Sequence, residues 1–360
     1  MDHRLRRSRL AERVSALEAD ALIVTRLPNV RYLTGFTGSN GQTVVGADGS
    51  AVFVTDGRYD EQSSHEVPDL PRTMYTEHYP QPLVDACRTL GATRVAFERR
   101  GLTYAAWERL TEVAEGLELT PADDEVERGR RAKDDEEVAL IARAQGFADQ
   151  AFEKVVLNGG LRAGVTERVL ARELEGAMLD AGADDRAFDS IVAFGEHAAE
   201  PHHHVTDREL GPGDLVKLDF GALSGGYHSD MTRTVAFGEP DPRLREIRDL
   251  VSRAQREGIE AVRPGVSSVE VDAAARSVIA DAGYADAFPH GLGHGVGLEV
   301  HEDPFLRWDA GETLVEGMVV TIEPGVYIPG LGGVRIEDMV EVTADGRREI
   351  PRSTRELIVL

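Results

Sequence analysis

The sequence predicts two domains: an α/β domain over residues 1–123, followed by an α+β domain over residues 124–360. Three observations lead to this prediction. The chain has 360 residues, enough for two domains of ordinary size. Helix and strand patterns alternate in the first third, whereas helix pairs and hairpins follow later. The strongly charged segment 121–135 lies between the two regions and predicts the boundary.

The first domain opens with a helix and continues with short apolar runs. Leu10, Val14 and Leu17 mark one face of that first helix. Apolar runs predict strands at 21–25, 42–47, 51–56 and 93–98. Residues 103–116 carry the pattern of a further helix. This alternation is typical of a small α/β domain.

The second domain shows the same arrangement twice. Helical patterns run over 134–156, 166–181, 243–262 and 269–282. Each pair of helices precedes a hairpin that carries acidic residues. The repetition predicts an internal pseudo-twofold, with a metal site between the two halves.

Composition excludes several classes of protein. The formal net charge of −24 argues against nucleic acid as a partner, because a phosphate backbone requires a basic surface. No apolar run approaches 18 residues and no signal peptide is evident, so a cytoplasmic protein without membrane contact is expected. The one cysteine, Cys87, lies in an amphipathic helical pattern and is expected to be a small buried hydrophobe.

The first hairpin covers residues 215–234, where apolar and polar residues alternate. A turn at Ser224-Gly225 would place Asp219 directly opposite Asp230. Facing carboxylates repel each other unless a cation lies between them. A hard divalent ion would meet that need.

The second hairpin repeats the pattern with two glutamates. Residues 318–326 and 333–341 read as strands, and folding about Gly330 would place Glu323 opposite Glu337. The segment HGLGHGVGLEVHE at 290–302 lies between the two hairpins and contains three histidines: His290, His294 and His301. An imidazole among carboxylates suits Mn, Co, Fe or Zn better than Mg or Ca.

Five motifs in this region together resemble one known family. PHHH at 201–204, LDFGA with SDMTRT, the histidine segment, TIEPGVY and GGVRIEDMV resemble the pita-bread metallopeptidases, and within them the aminopeptidase P and prolidase branch. NVRYLTGFTGS at 29–39 and DGRYDEQ at 56–62 resemble the creatinase-type N-terminal domain of that branch. The resemblance implies a creatinase-like α/β domain followed by a pita-bread catalytic domain.

The resemblance implies a site for two divalent metal ions, with Mn favoured and Co or Zn as alternatives. Asp219 would bind one ion, whereas His294 and Glu323 would bind the other. Asp230 and Glu337 would bridge both ions. Two such ions bind and acidify a bridging water and polarise the scissile carbonyl.

Catalytic roles are implied for residues around these ligands. Glu323 resembles the family's general base, which takes a proton from water and returns it to the leaving nitrogen. His202, His290 and His301 resemble the outer histidines that contact the scissile peptide and stabilise the tetrahedral intermediate. Arg335 resembles the arginine beside the glutamate of the second hairpin.

Other histidines near these motifs are expected to have no catalytic role. His202 is preferred to its neighbours because it follows a proline, as the family's outer histidine does. His203 and His204 are therefore expected to be solvated. His197 is expected to be structural, and His228 to be a half-exposed strand residue.

The implied activity is an exopeptidase that cleaves the Xaa-Pro bond of proline-containing peptides, in a chain that forms homodimers. Prolidases often carry an arginine directly after HE-x-P, suited to the carboxylate of a dipeptide. Phe305 occupies that place here, with Arg307 two residues further on, which favours aminopeptidase P over prolidase. Methionine aminopeptidase, a creatinase-like hydrolase and a non-catalytic binding module are alternatives. The N-terminal domain argues against the first of these, and the retained ligands argue against the other two.

Overall fold

The computed structural model describes residues 1–76 and 79–360. The chain divides into two compact units, Met1–Arg130 and Arg131–Leu360. No helix formed by these described residues is long and apolar enough to cross a bilayer.

The division falls C-terminal to the predicted boundary at 123/124. Residues of the charged segment bond to the first unit: Arg13 donates to the carbonyl of Glu125 at 2.9 Å, and the Tyr32 hydroxyl donates to that of Gly129 at 2.8 Å. The segment up to Arg130 therefore belongs to the first unit because its polar groups find their partners there.

The described residues of the first unit form one mixed sheet flanked by helices. Its strands are β1 (Ala21–Val24), β2 (Gly41–Gly46), β3 (Ala51–Asp56), β4 (Arg72–Tyr75), β5 (Arg94–Glu98) and β6 (Glu118–Ala122), in the spatial order β4-β3-β2-β1-β5-β6. Its helices are α1 (His3–Ala16), α2 (Leu27–Thr34), α3 (Asp60–Glu66), α4 (Gln81–Thr89), α5 (Tyr104–Val113) and α6 (Glu127–Arg130). The four predicted strands correspond to β1, β2, β3 and β5.

The core of this unit contains most of the predicted apolar positions. Leu10 and Val14 on α1 are fully buried, whereas Leu17 lies beyond the helix end and is 40% exposed. Cys87 on α4 is fully buried, and burial raises the pKa of its thiol to about 12. The cysteine is therefore a protonated apolar side chain at neutral pH, as the sequence predicted.

The second unit contains the remaining elements. Its helices are α7 (Asp135–Phe152), continued by a π-helical turn at Glu153–Gly160, α8 (Glu167–Ala181), α9 (Pro242–Ala261) and α10 (Ser268–Asp281). Its strands are β7 (Asp185–Arg186), β8 (Ile191–Phe194), β9 (Asp214–Phe220), β10 (Ala222–Ser224), β11 (Tyr227–His228), β12 (Met231–Phe237), β13 (Gly293–Gly295), β14 (Glu302–Leu306), β15 (Val319–Ile322), β16 (Gly325–Ile328), β17 (Gly332–Arg335), β18 (Asp338–Thr343) and β19 (Gly346–Glu349).

Two helix pairs each pack on strands of an acid-bearing hairpin in this unit. Helices α7 and α8 bury their apolar faces against β8, β9 and β12 in one core cluster. Helices α9 and α10 share a second cluster with β15, β16, β17 and β18. The doubling expected from the sequence is thus present as two helix pairs, each packed on the strands of one acid-bearing hairpin.

The first hairpin has a different register from the predicted one. Asp219 pairs with Thr232, so the prediction that it directly faces Asp230 was wrong. The turn lies one residue later than predicted, at Gly225-Gly226. Both glycines have positive φ angles, 56° and 83°, as the two central residues of a type I′ turn require. The register differs by two residues, and Asp230 therefore stays on the predicted face of the hairpin.

The second hairpin has the predicted register, although its strands are interrupted. The ladders on both sides, β15 with β18 and β16 with β17, keep the register in which Glu323 faces Glu337. At the interruption, the main-chain N–H of Glu323 donates to Leu292 at 2.8 Å, and that of Glu337 donates to Thr232 at 3.1 Å. The bond to Thr232 ties the second hairpin to the first, which brings the two sets of acids together.

Candidate metal centre

The five predicted ligands lie in one cluster. Ligand atoms of Asp219, Asp230 and Glu337 lie within 4.8 Å of one another, as do those of His294, Glu323 and Glu337. Glu337 belongs to both groups and therefore lies between two positions that an ion could take. Asp230 also approaches His294, with 3.7 Å between its Oδ2 and the imidazole Nε2.

Each ligand lies on or directly beside a strand, and the His294 strand packs unusually closely. A Cβ atom on Gly293 would lie 1.9 Å from the carbonyl oxygen of Thr321, and one on Gly295 would lie 2.4 Å from that of Asp303. Only glycine allows this approach on either side of His294. The glycines on both sides of His294 therefore permit close packing of its strand.

The cluster holds more negative charge than the surrounding protein neutralises. Burial, followed by the neighbouring carboxylates, raises the pKa values of both Asp230 and Glu337 well above their ordinary values. The Oδ1 atom of Asp219 is buried without a hydrogen-bond partner among the described residues. Buried carboxylates at this spacing need a cation. Four carboxylates with one imidazole fit a pair of divalent ions such as Mn, Co or Zn.

Arg335 neutralises part of this charge from one side. Its guanidinium forms a buried ion pair with Asp219 and donates to the hydroxyls of Thr232 at 3.0 Å and Tyr327 at 2.9 Å. The Thr232 hydroxyl in turn donates to Glu337 at 2.7 Å. Arg335 therefore orients two of the candidate ligands, one directly and one through Thr232.

Glu323 differs from Asp230 and Glu337 in its state of ionisation and in its access to solvent. Its burial opposes ionisation, but the hydrogen bond from His294, 3.3 Å away, holds the pKa of Glu323 at about 2. Its side chain is 17% exposed and lines an open cavity. An ionised carboxylate that faces a cavity can accept a proton from a bound water.

The cavity of about 840 Å³ also brings the predicted outer histidines together. His202 and His301 are exposed, whereas His290 is half-buried and lies 2.9 Å from the Tyr327 hydroxyl. The His301 ring centroid is 4.3 Å from that of His294. A nitrogen of His301 also lies within 4.8 Å of ligand atoms of Asp230 and His294.

Tyr327 is a site residue that the sequence reasoning missed. Its hydroxyl lies between His290 and Arg335, at 2.9 Å from each. Burial raises the pKa of this phenol to about 12, so it is a neutral donor and acceptor at physiological pH. Tyr327 lies four residues after Glu323 in the motif TIEPGVY, but no periodicity in the sequence assigns it to the site.

His203 was also misjudged, since it is buried and not solvated. It is 5% exposed, and its Nε2 lies 2.9 Å from Glu167 while its Nδ1 lies 3.0 Å from Glu200. Glu167 is fully buried and also bonds to the Nδ1 atom of His197 at 2.9 Å. A buried carboxylate on α8 is the partner that fixes His203, and the neighbouring sequence did not reveal it. His204 is exposed, as predicted.

Comparison with family models gives two matches that follow the two units. Residues 6–132 match the creatinase/prolidase N-terminal domain. Residues 139–344 match metallopeptidase family M24.

Solved and curated relatives resemble nearly the whole chain. An Xaa-Pro dipeptidase structure from Bacillus anthracis has 37% identity and a TM-score of 0.96, with 100% of both chains covered. The Xaa-Pro dipeptidase of Pyrococcus horikoshii is 36% identical over 341 residues, which are 94% of each chain. An X-Pro aminopeptidase structure from Thermotoga maritima MSB8 has 32% identity and a TM-score of 0.88, covering 97% of this chain and 100% of that one.

Proposed function

Since the chain belongs to metallopeptidase family M24, we propose that it is an Xaa-Pro dipeptidase that works with two divalent metal ions. The observation that carries this proposal is the buried cluster of four carboxylates and His294, open to a cavity through Glu323. The dipeptidase relatives favour this alternative over aminopeptidase P, which the sequence favoured on the strength of Phe305.

The five clustered side chains would hold the ions, with Glu337 between the two positions. When bound, two divalent ions supply an acidified water and a polarised carbonyl. Glu323 would take the proton of that water and pass it to the proline nitrogen as the Xaa-Pro bond breaks. His202 and His301, which are exposed to the cavity, would donate to the carbonyl oxygen as negative charge develops on it.

A chain of hydrogen bonds from Arg335 through Tyr327 would keep His290 oriented during this reaction. The Tyr327 hydroxyl accepts from Arg335 and so is free to donate its own proton to His290. This arrangement leaves the other ring nitrogen of His290 as the protonated one, which lies 2.8 Å from the carbonyl of Gly291. The imidazole is then a neutral group, and burial lowers its pKa accordingly.

A dipeptide substrate also requires a cation for its carboxylate. Arginines line the cavity wall, and most of them have acidic partners: Arg168 with Asp207, Arg186 with Glu175 and Arg307 with Asp309. Arg172 is exposed at the cavity and has no such partner among the described residues. We propose that Arg172 receives the carboxylate, since an unpaired guanidinium can bind one without breaking an ion pair.

Hydrolysis of a matched dipeptide and tripeptide tests the assignment. The purified chain is loaded with Mn, Co or Zn, and kcat/KM is measured for Xaa-Pro and for Xaa-Pro-Yaa. We expect the dipeptide to be preferred, and Arg172→Ala to raise KM for the dipeptide more than for the tripeptide. Preference for the tripeptide would instead establish aminopeptidase P, which the uncharged Phe305 favours. Turnover of neither substrate would contradict both activities.

Three finer properties complete the proposal. We propose that the ions are Mn, that the chain acts as a homodimer, and that it works in the cytoplasm. The mixed carboxylate and imidazole donor set supports the choice of metal. The one buried cysteine is consistent with a reducing compartment. Metal analysis of protein purified without added metal tests the first property, and light scattering tests the second.

A further inference from the structure

Lysine is rare in this chain and is used in unusual places. Of the 40 lysine and arginine residues, only Lys133, Lys154 and Lys217 are lysine. Lys217 is fully buried and Lys133 is 6% exposed, although lysine is seldom buried in proteins. A chain that uses arginine almost everywhere thus has lysine at two buried positions. These positions suit a compact amine better than a planar guanidinium.

Lys217 binds the main chain of the segment that leads to His202. Its Nζ lies 3.2 Å from the carbonyl oxygen of Ala198 and 3.4 Å from that of Pro201, and it also donates to the carbonyl of Glu200. Burial lowers the pKa of Lys217 to about 6, but an amine donates hydrogen bonds in both protonation states. The three acceptors surround one nitrogen, which a guanidinium could not reproduce.

Both neighbours of His202 are held in place. The carbonyl of Pro201 accepts from Arg335 at 3.1 Å as well as from Lys217. On the other side, His203 is bonded to the buried Glu167. His202 itself is exposed. Its main chain is therefore fixed on both sides, while its side chain remains open to the cavity.

Lys133 makes a comparable contact beside His301. Its Nζ forms an ion pair with Oε1 of Glu302 at 2.8 Å and donates to the carbonyl of Arg131 at 3.1 Å. A Cβ atom on Gly297 would lie only 2.4 Å from the same Glu302 oxygen, so this carboxylate is closely confined. His301, which directly precedes Glu302, is exposed. A second exposed histidine thus lies next to a residue whose side chain is held by a buried lysine.

We propose that Lys217 and Lys133 are positioning residues for peptide hydrolysis: Lys217 holds the main chain before His202, and Lys133 holds the Glu302 side chain next to His301. The proposal rests on the proposed function, because it requires both histidines to act on the substrate. Neither lysine touches the substrate in this role. Without these contacts, an exposed histidine on a loop would sample many orientations. A displacement of about 1 Å at a reacting group can lower the rate about 10²-fold.

Single variants test the two contacts. Lys217→Met and Lys133→Met keep the length of the side chain but remove the donor, and Lys217→Arg keeps a cation with the wrong shape. Lys154→Met is the matched control, because Lys154 is 61% exposed and pairs with Asp180 at the surface. We expect kcat to fall on the order of 10²-fold in the three test variants, with KM and metal content unchanged. The control should match the wild type.

Double variants separate positioning from a general loss of structure. In a His202→Ala background, Lys217→Met should cost little further activity, because the group that it positions is gone. The same holds for Lys133→Met in a His301→Ala background. Multiplicative losses in both pairs, or unchanged kcat in the single variants, would overturn the proposal. If Lys217→Met does not fold, the proposal is tested by Lys217→Arg and by Lys133→Met, alone and in the His301→Ala background.

Hydrogen exchange provides a measurement that does not depend on activity. Backbone amides over 196–206 should exchange faster in Lys217→Met, and those over 297–303 should do so in Lys133→Met. Wild-type exchange rates in these variants would overturn the proposed positioning by Lys217 and Lys133, even if the wild type is an active dipeptidase. A wild type that cleaves no Xaa-Pro substrate would contradict the proposed function, and faster exchange in the variants would still establish the contacts.

Discussion

Replacing Asp230 by Asn should affect the metal-free and metal-loaded protein in opposite directions. In the cluster, Arg335 pairs with Asp219 and His294 lies nearest to Glu323, which leaves Asp230 and Glu337 as the least compensated acids. Ligand atoms of these two carboxylates lie within 4.8 Å of each other. With an effective dielectric constant of about 20, two unit charges at that distance repel by roughly 3.5 kcal/mol.

Protonation limits how much of this repulsion the metal-free protein experiences. The folded-state pKa of Asp230 is raised from an ordinary value of 3.8 by burial and by Glu337. A raised carboxyl pKa means that the folded state binds the extra proton, so stability is lost as pH rises from about 4 through the raised pKa. At about 1.4 kcal/mol per pH unit, the penalty is limited to about 1.6 kcal/mol at pH 5. The penalty grows further as pH rises toward the raised pKa of Asp230.

We therefore expect Asp230→Asn to raise the free energy of unfolding in EDTA by about 1.6 kcal/mol at pH 5, and by more at pH 8, up to roughly 3.5 kcal/mol. With Mn at 100 times its dissociation constant, each ion should stabilise the wild type by about 2.7 kcal/mol, and the variant should lose at least one such contribution. Urea unfolding of the wild type and the variant, in EDTA and in Mn, at pH 5 and at pH 8 measures these differences in stability. Asp286→Asn, at an exposed position, is the control. A variant that is less stable than wild type in EDTA at pH 8, and that still binds two metal equivalents, would refute the reasoning.

Three further predictions concern catalysis. His301→Ala should retain two metal equivalents and lose about 2.7–4 kcal/mol of transition-state stabilisation in kcat; metal analysis showing one equivalent would identify His301 as a ligand. Tyr327→Phe removes the hydroxyl that bonds to both His290 and Arg335, so thermal unfolding should show a loss of about 1–3 kcal/mol together with a lower kcat. Phe305→Arg adds a cation at the cavity. The ratio of kcat/KM for a dipeptide to kcat/KM for a tripeptide should then rise by about 30-fold or more. An unchanged ratio would exclude this position from carboxylate binding.

The two hairpins show how far local sequence predicts register. In the second hairpin, the turn about Gly330 was identified correctly, and the facing of Glu323 and Glu337 followed from it. In the first hairpin, the turn was predicted at Ser224-Gly225, but it lies at Gly225-Gly226, where both glycines have positive φ angles. This error did not change the face of the hairpin on which Asp230 lies. Moving a turn by one residue shifts the pairing by two residues, and a shift of two keeps each side chain on the same face.

The sequence by itself indicated two units, many of the helices and strands, and a group of four acids and a histidine as candidate metal ligands. Those features depend on periodicity, turn residues and motif spacing, all of which are local. Only the tertiary structure decided that Tyr327 contacts His290 and Arg335, that Glu167 fixes His203, and that Lys217 binds the carbonyls before His202. The last two contacts join residues 36 and 19 positions apart in the sequence. Such contacts bring together side chains from different elements, and a buried polar group takes its partner from whichever element packs beside it.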